Sequence, residues 1–344
     1  MAKSSDDTRT RSADTVSLDI RETCLIVFAG NSGMACLPLS CREMPSRYIM
    51  RDITHLADLI TVHAPSDGVH LTPIGGLTLV RNSRPETPIY TVHQPMLCII
   101  AQGGKQVTSG SDTHRYDPSN YLIVSVAVPV SARITLADSD EPYLCFRLAL
   151  EPLELAEMAA KLPHRPSMAR VEPAMTVRST TPELIDAVVR LVELLDRPDD
   201  LPVLAPLAKR EIYHRLLTGP EASAVRRSVV PDGDLYRIAK VTAWIKDHFN
   251  EPLNAARLIG ISNLSRSAFY KHFKAVTAMS PLEYQKQVRL QVARRRMVAE
   301  GIEASVAGYA VGYASIPQFT REYRRLFGRS PAKDASLLRA AADL

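Results

Sequence analysis

The spacing of apolar and polar positions changes character along the chain. Residues 51–65 carry apolar side chains three or four positions apart, which is typical of a short amphipathic helix. Between residues 77 and 150 the apolar positions instead form short runs between turn-forming residues, which predicts β-strands packed as a sandwich or barrel. The predicted strands are Leu77–Arg81, Met96–Ala101, Gln106–Thr108, Tyr121–Ser125, Arg133–Leu136 and Tyr143–Leu150.

Two local patterns sharpen this division. Lys105–Tyr116 is predicted to form one hairpin around a Ser-Gly-Ser-Asp turn. Helical spacing takes over at about residue 151, and Thr181 and Pro182 suit the N-cap and first position of a helix. The apolar positions of 184–195 are either domain core or a dimer interface, and we favour the interface.

A pattern near the C-terminus occurs twice, offset by fifty positions. Each copy has an N-capping serine, two aromatic residues four apart, interleaved basic residues and a Ser-Pro pair. The matched pairs are Ser265/Ser315, Phe269/Phe319, Lys271/Arg321, Phe273/Tyr323, Lys274/Arg324, Val276/Leu326, Ser280/Ser330 and Pro281/Pro331. Residues four apart share a helix face, so each copy predicts a helix with a buried aromatic stripe and a basic outer stripe.

Each copy follows a shorter helix candidate and a turn. Residues 253–261 and the turn Ser262-Asn263 precede the first copy, and residues 305–311 and the turn Gly312-Tyr313 precede the second. This order predicts two helix-turn-helix units. In each unit, the repeated helix is positioned to enter a major groove and to present side chains to base edges.

The segment between the copies predicts a long connecting helix. Ser280, Pro281 and Glu283 form a capping-box start, and Gly301 is a natural stop. About twenty helical residues span roughly 30 Å, close to the ~34 Å repeat of duplex DNA. Two reading helices joined by this rod are spaced to enter successive major grooves on one face of DNA.

The charge distribution agrees with a polyanionic partner for one part of the chain. The net charge is +5, but the residues from Asp232 onward hold 18 Lys and Arg against 10 Asp and Glu, whereas the preceding residues hold 24 against 27. A basic C-terminal third behind a mildly acidic body predicts that this third alone binds nucleic acid.

Several classes of protein are excluded by what the sequence lacks. The five cysteines have no CxxC or cysteine–histidine metal spacing, and His70, His93 and His114 are isolated, so no metal, cofactor or catalytic residue is expected. An enzyme that accepts alkyl groups from damaged DNA needs an activated cysteine, typically in a Pro-Cys-His stretch, and the sequence contains no such stretch. The sequence has no run of eighteen apolar residues, so no membrane span is predicted. The cysteines are expected to be reduced thiols, which is typical of a cytoplasmic protein.

Several stretches of the sequence resemble those of a known protein family. Residues 234–335 resemble the DNA-binding domain of the AraC/XylS family of bacterial transcription regulators, through the stretches 269–281, 311–315 and 318–331. Residues of about 51–160 resemble the N-terminal domain of one branch of that family, through the stretches 97–108 and 121–130.

The resemblance implies an α+β fold, with an N-terminal cupin-like β-barrel, a helical dimerisation segment and an all-α C-terminal domain with two helix-turn-helix units. The resemblance and the composition together predict a disordered or mis-started extension, a sensor barrel, the dimerisation segment, a linker and an AraC-type DNA-binding domain. Their ranges are 1–50, 51–160, 161–220, 221–233 and 234–335, with helix-turn-helix units at about 253–274 and 303–326. The extension and the linker come from composition alone, because residues 1–19 are polar without periodicity.

The implied function is a bacterial, cytoplasmic transcription factor that is nucleoid-associated when bound to DNA and is not an enzyme. Activator is the role that we name, but the sequence does not distinguish activation from repression. It would bind double-stranded promoter DNA as a homodimer, contact RNA polymerase and respond to a small-molecule effector held by the N-terminal domain. One alternative stays open, in which the protein is a constitutive or architectural DNA-binding protein and the barrel is only a dimerisation scaffold.

The resemblance also assigns roles to individual residues, position by position. The residues implied to contact bases are Ser267, Tyr270, Lys271, Pro317, Gln318, Thr320 and Arg321, and those implied to contact phosphates are Lys274, Arg324 and Arg325. Asn263 stands where the family has a turn glycine, and asparagine also adopts the left-handed conformation. Cys98 and Cys145 are either small buried residues or sensors of an electrophile such as an aldehyde.

Overall fold

A computed structural model of the chain describes residues 51–85, 88–163, 173–219, 222–229 and 233–342. The predicted extension, residues 1–50, lies outside the described residues, as do parts of the predicted dimerisation segment and linker. The domain boundaries themselves therefore stay predictions.

The N-terminal half is built on two antiparallel sheets. The larger sheet has the order β1-β2-β9-β4-β7-β10 and the smaller one the order β3-β8-β5-β6. The strands are β1 (Gly68–Leu71), β2 (Leu77–Asn82), β3 (Ile89–His93), β4 (Met96–Gln102), β5 (Gly104–Ser109), β6 (Asp112–Tyr116), β7 (Asn120–Val124), β8 (Val128–Leu136), β9 (Tyr143–Ala149) and β10 (Met175–Ser179). The predicted hairpin is confirmed, because β5 and β6 pair along their length, with Lys105 opposite Tyr116 at one end and Ser109 opposite Asp112 at the other.

Alternation along the central strands gives the larger sheet two buried faces. On β4, Leu97 and Ile99 pack with helices, whereas Cys98 and Ile100 point into the space between the two sheets. Side chains of a strand point alternately to the two faces of its sheet, so a strand that is covered on both sides is apolar at every position. This explains why the β4 sequence Met-Leu-Cys-Ile-Ile-Ala is continuously apolar.

The α+β class is confirmed, but the predicted barrel is not closed. Within the described ranges the strands form two separate sheets, and edge strands remain on both. The edge strands β1 and β6 are short and largely exposed, and polar, exposed edges do not invite further pairing. The N-terminal half is therefore a two-sheet sandwich.

Strand β10 corrects the expectation that helices take over at residue 151. It follows helix α2 (Pro152–Ala160) and pairs with β7. Met175 lies opposite Val124 at one end of this pairing, and Ser179 lies opposite Asn120 at the other. Five residues are too few to show the period of a strand in the sequence. These residues form a strand because they pair with the edge of β7, which the sequence pattern does not reveal.

A layer of helices covers the outer face of the larger sheet. Besides α2 it consists of α1 (Ile53–His63), α3 (Pro182–Glu193), α4 (Leu201–Thr218) and α5 (Ala222–Val229). Thr181 caps α3 as predicted, with its hydroxyl oxygen accepting from the Leu184 N–H at 3.3 Å. Helix α5 occupies most of the segment that was predicted as a linker.

The apolar stripe of helix α3 belongs to the core of the protomer, whereas we had favoured a dimer interface for these positions. Its apolar stripe, including Leu184, Val188 and Leu191, is at most 3% exposed and packs within the protomer against α1, α4 and the larger sheet. A stripe of leucines looks the same in a sequence whether a second protomer or the same chain covers it. Dimerisation itself stays a prediction.

The C-terminal part is helical throughout. The helices are α6 (Asp234–Asp247), α7 (Ala255–Ser262), α8 (Arg266–Thr277), α9 (Pro281–Ala299), α10 (Ala304–Ala310), α11 (Ile316–Phe327) and α12 (Pro331–Ala342). Helices α8 and α11, the two reading helices, start fifty residues apart and have equal length, as the repeat predicts. No helix among the described residues is long and apolar enough to cross a membrane.

Tyr213 on α4 ties the helical layer to the larger sheet. Its buried hydroxyl donates to the carbonyl oxygen of Ala149 at 3.2 Å and accepts from the Glu151 N–H at 3.3 Å. Burial raises the pKa of Tyr213 to about 12, so this hydroxyl remains a donor at neutral pH.

We expect Tyr213→Phe to lower the free energy of unfolding by about 0.5–1.5 kcal/mol, because two partly buried backbone groups lose a hydrogen-bond partner. Urea unfolding measures this change. Tyr309→Phe is the matched control, since that side chain is 60% exposed and its change should stay within about 0.5 kcal/mol. Equal stabilities of the two variants would contradict the role given to Tyr213.

Candidate nucleic-acid interface

The first reading helix, α8, is set by its cap and turn. Asn263 adopts the left-handed conformation with φ 49°, as expected, and reverses the chain after α7. The Ser265 hydroxyl oxygen then accepts from the Ala268 N–H at 3.3 Å and begins α8. Phe269 and Phe273 are fully buried, so the aromatic stripe is confirmed as core.

Burial of that stripe orients the opposite face of α8 toward solvent. Ser267, Tyr270, Lys271 and Lys274 are all exposed on this face. The two lysines form no ion pair with any residue that the structure describes. Their charges are therefore available to an external anion.

The second unit depends on two glycines. A Cβ atom at Gly308 in α10 would lie 3.0 Å from side-chain atoms of Ile316 and Phe319, so α10 and α11 pack closely there. Gly312 in the turn has φ +89°, and a Cβ atom would lie 2.1 Å from the carbonyl oxygen of Asn250. Both the backbone angle and the close approach require glycine at position 312.

The outer face of α11 repeats that of α8. Its exposed residues are Pro317, Gln318, Arg321, Arg324 and Arg325, and Thr320 is half-buried. Phe319 and Tyr323 are fully buried, as expected. Ser315 stands at the N-cap, but its side chain makes no capping hydrogen bond, which differs from Ser265 in the first unit.

Gln318 has a partner that the sequence did not indicate. Its Nε2 donates to Oε1 of Glu322 at 3.2 Å, and the same carboxylate takes hydrogen bonds from Lys286 and Tyr313, both at 2.7 Å. Burial opposes ionisation of Glu322, but these donors outweigh it and lower its pKa. A base contact by Gln318 would have to replace this bond.

Helix α9 connects the two units through Arg289. The Arg289 guanidinium donates to the carbonyl oxygens of Phe249 at 2.6 Å, Glu251 at 2.8 Å and Gly312 at 3.0 Å. Burial lowers its pKa without removing its charge. The sequence carries no signal for this clamp, because backbone carbonyl acceptors have no residue signature.

Arg294 on α9 is engaged within the protein. It forms an ion pair with Asp334 on α12 at 2.7 Å, and the same carboxylate accepts from the Tyr323 hydroxyl at 2.8 Å. This arginine fixes α12 against α9. Of its neighbours, Arg296 pairs with Glu300 and Arg295 is exposed.

The connecting rod has the predicted start and length. Ser280 and Glu283 form both bonds of the capping box, with the Ser280 N–H donating to Glu283 at 3.0 Å and the Glu283 N–H donating to Ser280 at 3.3 Å. The helix that follows has 19 residues. At 1.5 Å per residue it is about 28 Å long.

The first unit also packs directly against the sandwich. The Ala174 N–H donates to the Val276 carbonyl oxygen at 2.8 Å, and the buried Tyr284 hydroxyl donates to the Ala127 carbonyl oxygen at 2.8 Å. At the tip of the β5–β6 hairpin, a Cβ atom on Gly110 would lie 2.4 Å from the Ala278 carbonyl oxygen. The hairpin tip therefore touches the turn between α8 and α9.

An open pocket of about 470 Å³ lies between the hairpin tip and the outer face of α8. Ser111 and Asp112 line it from the hairpin, and Tyr270, Lys271 and Lys274 line it from α8. Three of the residues implied to contact DNA thus share a pocket with an acidic residue of the N-terminal half.

The two predicted sensor thiols lie elsewhere. Cys98 and Cys145 are on adjacent strands of the larger sheet, at most 1% exposed, and point into the space between the sheets. The structure brings them together in the same apolar core that includes Phe269 and Phe273 of α8. Among the described residues no group of His, Cys, Asp and Glu is arranged to hold a metal ion.

Comparison with known proteins identifies both halves of this arrangement. A family model described as the AraC-type transcriptional regulator N-terminus matches residues 73–224, and a helix-turn-helix domain model matches residues 259–335. The chain belongs to the AraC family of transcriptional regulators. Its sandwich is thus the regulatory domain and its two helix-turn-helix units form the DNA-binding domain.

Two curated relatives support this family, and one solved structure shares the fold. The chain is 25% identical to the HTH-type transcriptional activator RhaS of Escherichia fergusonii over 262 residues, which is 72% of this chain and 80% of RhaS. It is 28% identical to the probable transcriptional regulator LumQ of Photobacterium leiognathi over 90 residues, which is 26% of this chain and 36% of LumQ.

The solved structure is that of ToxT from Vibrio cholerae bound to (E)-4-(8-methylnaphthalen-1-yl)but-3-enoic acid. It covers 76% of this chain and 98% of ToxT, with a TM-score of 0.50 and 11% identity. The likeness shows a shared fold.

We expect Gly312→Ala to destabilise the protein by more than about 2 kcal/mol, since the new methyl group meets backbone and adds to the ~1–2 kcal/mol strain of a left-handed alanine. Thermal unfolding of the full chain measures this effect. Gly301→Ala is the matched control, because Gly301 also has positive φ, +68°, but no atom lies within 4 Å of the added Cβ. If Gly301→Ala lowered the stability as much as Gly312→Ala, backbone strain alone would explain the effect, and the contact of the new methyl group with Asn250 would contribute nothing.

Proposed function

We propose that this protein is a cytoplasmic, sequence-specific regulator that reads promoter DNA with α8 and α11 and changes its DNA binding in response to a small molecule held by the sandwich. The observation that carries the DNA-reading part is the pair of matched exposed faces. Lys271 and Arg321 occupy equivalent places on the two faces and have no internal ion pair among the described residues.

The two faces divide into base-reading and phosphate-binding positions. Ser267, Tyr270 and Lys271 on α8, and Pro317, Gln318, Thr320 and Arg321 on α11, are assigned to base edges. Lys274, Arg324 and Arg325 lie one turn further along and are assigned to phosphates. Side chains near the start of a reading helix reach base edges, and those further along meet the backbone.

We expect Arg321→Ala to weaken specific binding by about 1–3 kcal/mol and to relax sequence preference at one position, because a bidentate base contact is lost. We expect Lys274→Ala to weaken binding evenly across sequences and to reduce the salt slope by about one unit. Fluorescence anisotropy with a selected duplex and single-base variants, over a range of salt concentrations, measures both.

Arg133→Ala removes an exposed charge from the smaller sheet and serves as the control, with DNA binding unchanged. Equal, sequence-independent losses for Arg321→Ala and Lys274→Ala would contradict the division into base and phosphate contacts.

Effector control is supported by the contact between the sandwich and the first unit. A ligand that shifts the sandwich acts on Ala127, Ala174 and the hairpin tip, all of which touch the first unit. Asp112 lies beside Lys271 and Lys274, where DNA phosphates would approach. The hairpin tip is therefore placed to oppose DNA docking until the two domains move.

The alternative is a constitutive DNA-binding protein in which the sandwich only scaffolds a dimer. Nothing in that role requires an acidic hairpin tip beside the first reading helix. By analogy with RhaS, whose name describes a transcriptional activator, we propose that the protein activates transcription. Contact with RNA polymerase and homodimer formation are proposed from the family resemblance alone. A non-enzymatic role accords with these assignments.

We expect Asp112→Asn to raise the DNA affinity of the ligand-free full chain several-fold at low salt, because it removes repulsion between a carboxylate and DNA phosphates. Asp140→Asn removes the same charge from the β8–β9 turn, at the other end of the smaller sheet, and should leave affinity unchanged. Anisotropy titrations at two salt concentrations measure both variants. If both variants changed the DNA affinity equally, the change in net charge would explain the effect wherever the charge lies. That result would contradict control by the hairpin tip.

A further inference from the structure

The second reading helix contains a hydrogen-bonded group that holds one of its proposed base-reading side chains. Gln318 is exposed at the third residue of α11, and Glu322 lies one turn further along the same face. Nε2 of Gln318 donates to Oε1 of Glu322 at 3.2 Å. Side chains near the start of a reading helix reach base edges, so the group that orients this amide bears on which base it reads.

Glu322 is itself held from two directions. The Lys286 ammonium on α9 donates to its Oε1 at 2.7 Å, and the Tyr313 hydroxyl, in the turn before α11, donates to its Oε2 at 2.7 Å. Tyr313 is 5% exposed, and its ring packs edge-on against Phe319 with 5.3 Å between the ring centroids. The position of the carboxylate is therefore fixed by the core of the second unit and by the connecting helix.

The charge of Glu322 determines which side of the Gln318 amide faces it. Burial disfavours ionisation of Glu322, but hydrogen bonds from its donors lower the pKa of Glu322, so the carboxylate is charged at neutral pH and only accepts. The amide group facing it is therefore the –NH2, since the amide oxygen has no hydrogen to donate. Hydrogen bonds to an ionised acceptor are roughly twice as strong as neutral ones, which favours this orientation over the reverse one.

The bond to Glu322 uses only one of the two amide hydrogens of Gln318. A base contact through that hydrogen would have to replace the bond, whereas Oε1 and the second hydrogen remain for a base. Gln318 thus offers one acceptor and one donor. In the major groove adenine presents the complementary pair, the N6 donor and the N7 acceptor, whereas guanine presents two acceptors, O6 and N7.

We propose that Glu322 is a positioning residue that makes α11 select adenine, by holding the Gln318 amide so that its oxygen accepts from N6 and its free N–H donates to N7. Guanine at the same place would need both amide hydrogens, and Glu322 occupies one of them. This inference rests on the proposed base contact by Gln318 and names the base that this contact selects.

The first unit has no equivalent of this pair. The repeat places Ala268 and His272 where the second unit has Gln318 and Glu322. The adenine is therefore expected in the part of the DNA site that contacts α11.

The test uses the full chain and a duplex selected from a random pool. Fluorescence anisotropy measures the affinity for all four base pairs at each position of the site. The position that Gln318 reads is the one at which Gln318→Ala removes the base preference. We expect the unmodified protein to prefer adenine over guanine there by about tenfold or more, as is typical of a bidentate contact.

Modified bases test the orientation of the amide without changing the protein. Purine lacks the 6-amino group of adenine, and 7-deazaadenine lacks N7. Each replacement at that position should weaken binding of the unmodified protein by about threefold or more, because one of the two hydrogen bonds is lost. Gln318→Ala should bind both modified duplexes as well as the adenine duplex.

Two substitutions at Glu322 test its role. Glu322→Met keeps the length of the side chain but removes the acceptor, so both amide hydrogens are free and the adenine-to-guanine ratio should fall below about threefold. Glu322→Gln removes the same charge but keeps an oxygen that accepts from Gln318, so its ratio should stay within about twofold of the original. Both variants should bind a random duplex, which shows that they are folded, and Glu322→Ala replaces Glu322→Met if that variant does not.

Four results would each overturn the inference. They are a preferred base other than adenine at the Gln318 position, no loss with either modified base, an unchanged ratio in Glu322→Met, and an equal fall in Glu322→Met and Glu322→Gln. Sequence-specific binding combined with any of these overturns the role of Glu322 and leaves the proposed function standing. A chain that binds every duplex equally overturns the proposed function and the inference with it.

Discussion

A single apolar core joins the space between the sheets to the first reading unit. It runs from Cys98 and Val107 in the sandwich to Phe269, Phe273 and Tyr284 in the helical part. Burial of the two phenylalanines on this core determines which face of α8 is left to solvent. The orientation of the first reading helix therefore depends on the same packing that holds the sandwich together.

This shared core bears on how a regulatory domain acts on DNA binding. Tightly packed interiors transmit displacement, because side chains cannot move without moving their neighbours. The Tyr284–Ala127 hydrogen bond and the close approach of Gly110 to Ala278 lie at the edges of the same contact. The second unit has its own core around Phe319 and Tyr323, and Arg289 on α9 links it to the first.

The repeat made the DNA-binding part predictable, because spacing alone determines which side chains share a helix face. The aromatic stripes, the Asn263 turn and the capping box of α9 all follow from local rules. Other features have no local signature. The partner of Arg289 is backbone, that of Arg294 is forty residues away, and Lys105 lies over the Tyr143 ring only because two sheets face each other.

The sequence by itself determined the α+β class, the two helix-turn-helix units, the family and the outward residues of α8 and α11, since each depends on periodicity or on matched positions within one segment. Only the tertiary structure decided that the barrel is an open sandwich, that β10 returns to its edge, and that the stripe of α3 is core. It also placed the β5–β6 hairpin beside α8. These outcomes depend on which distant surfaces cover one another, and a pattern along the chain does not contain that information.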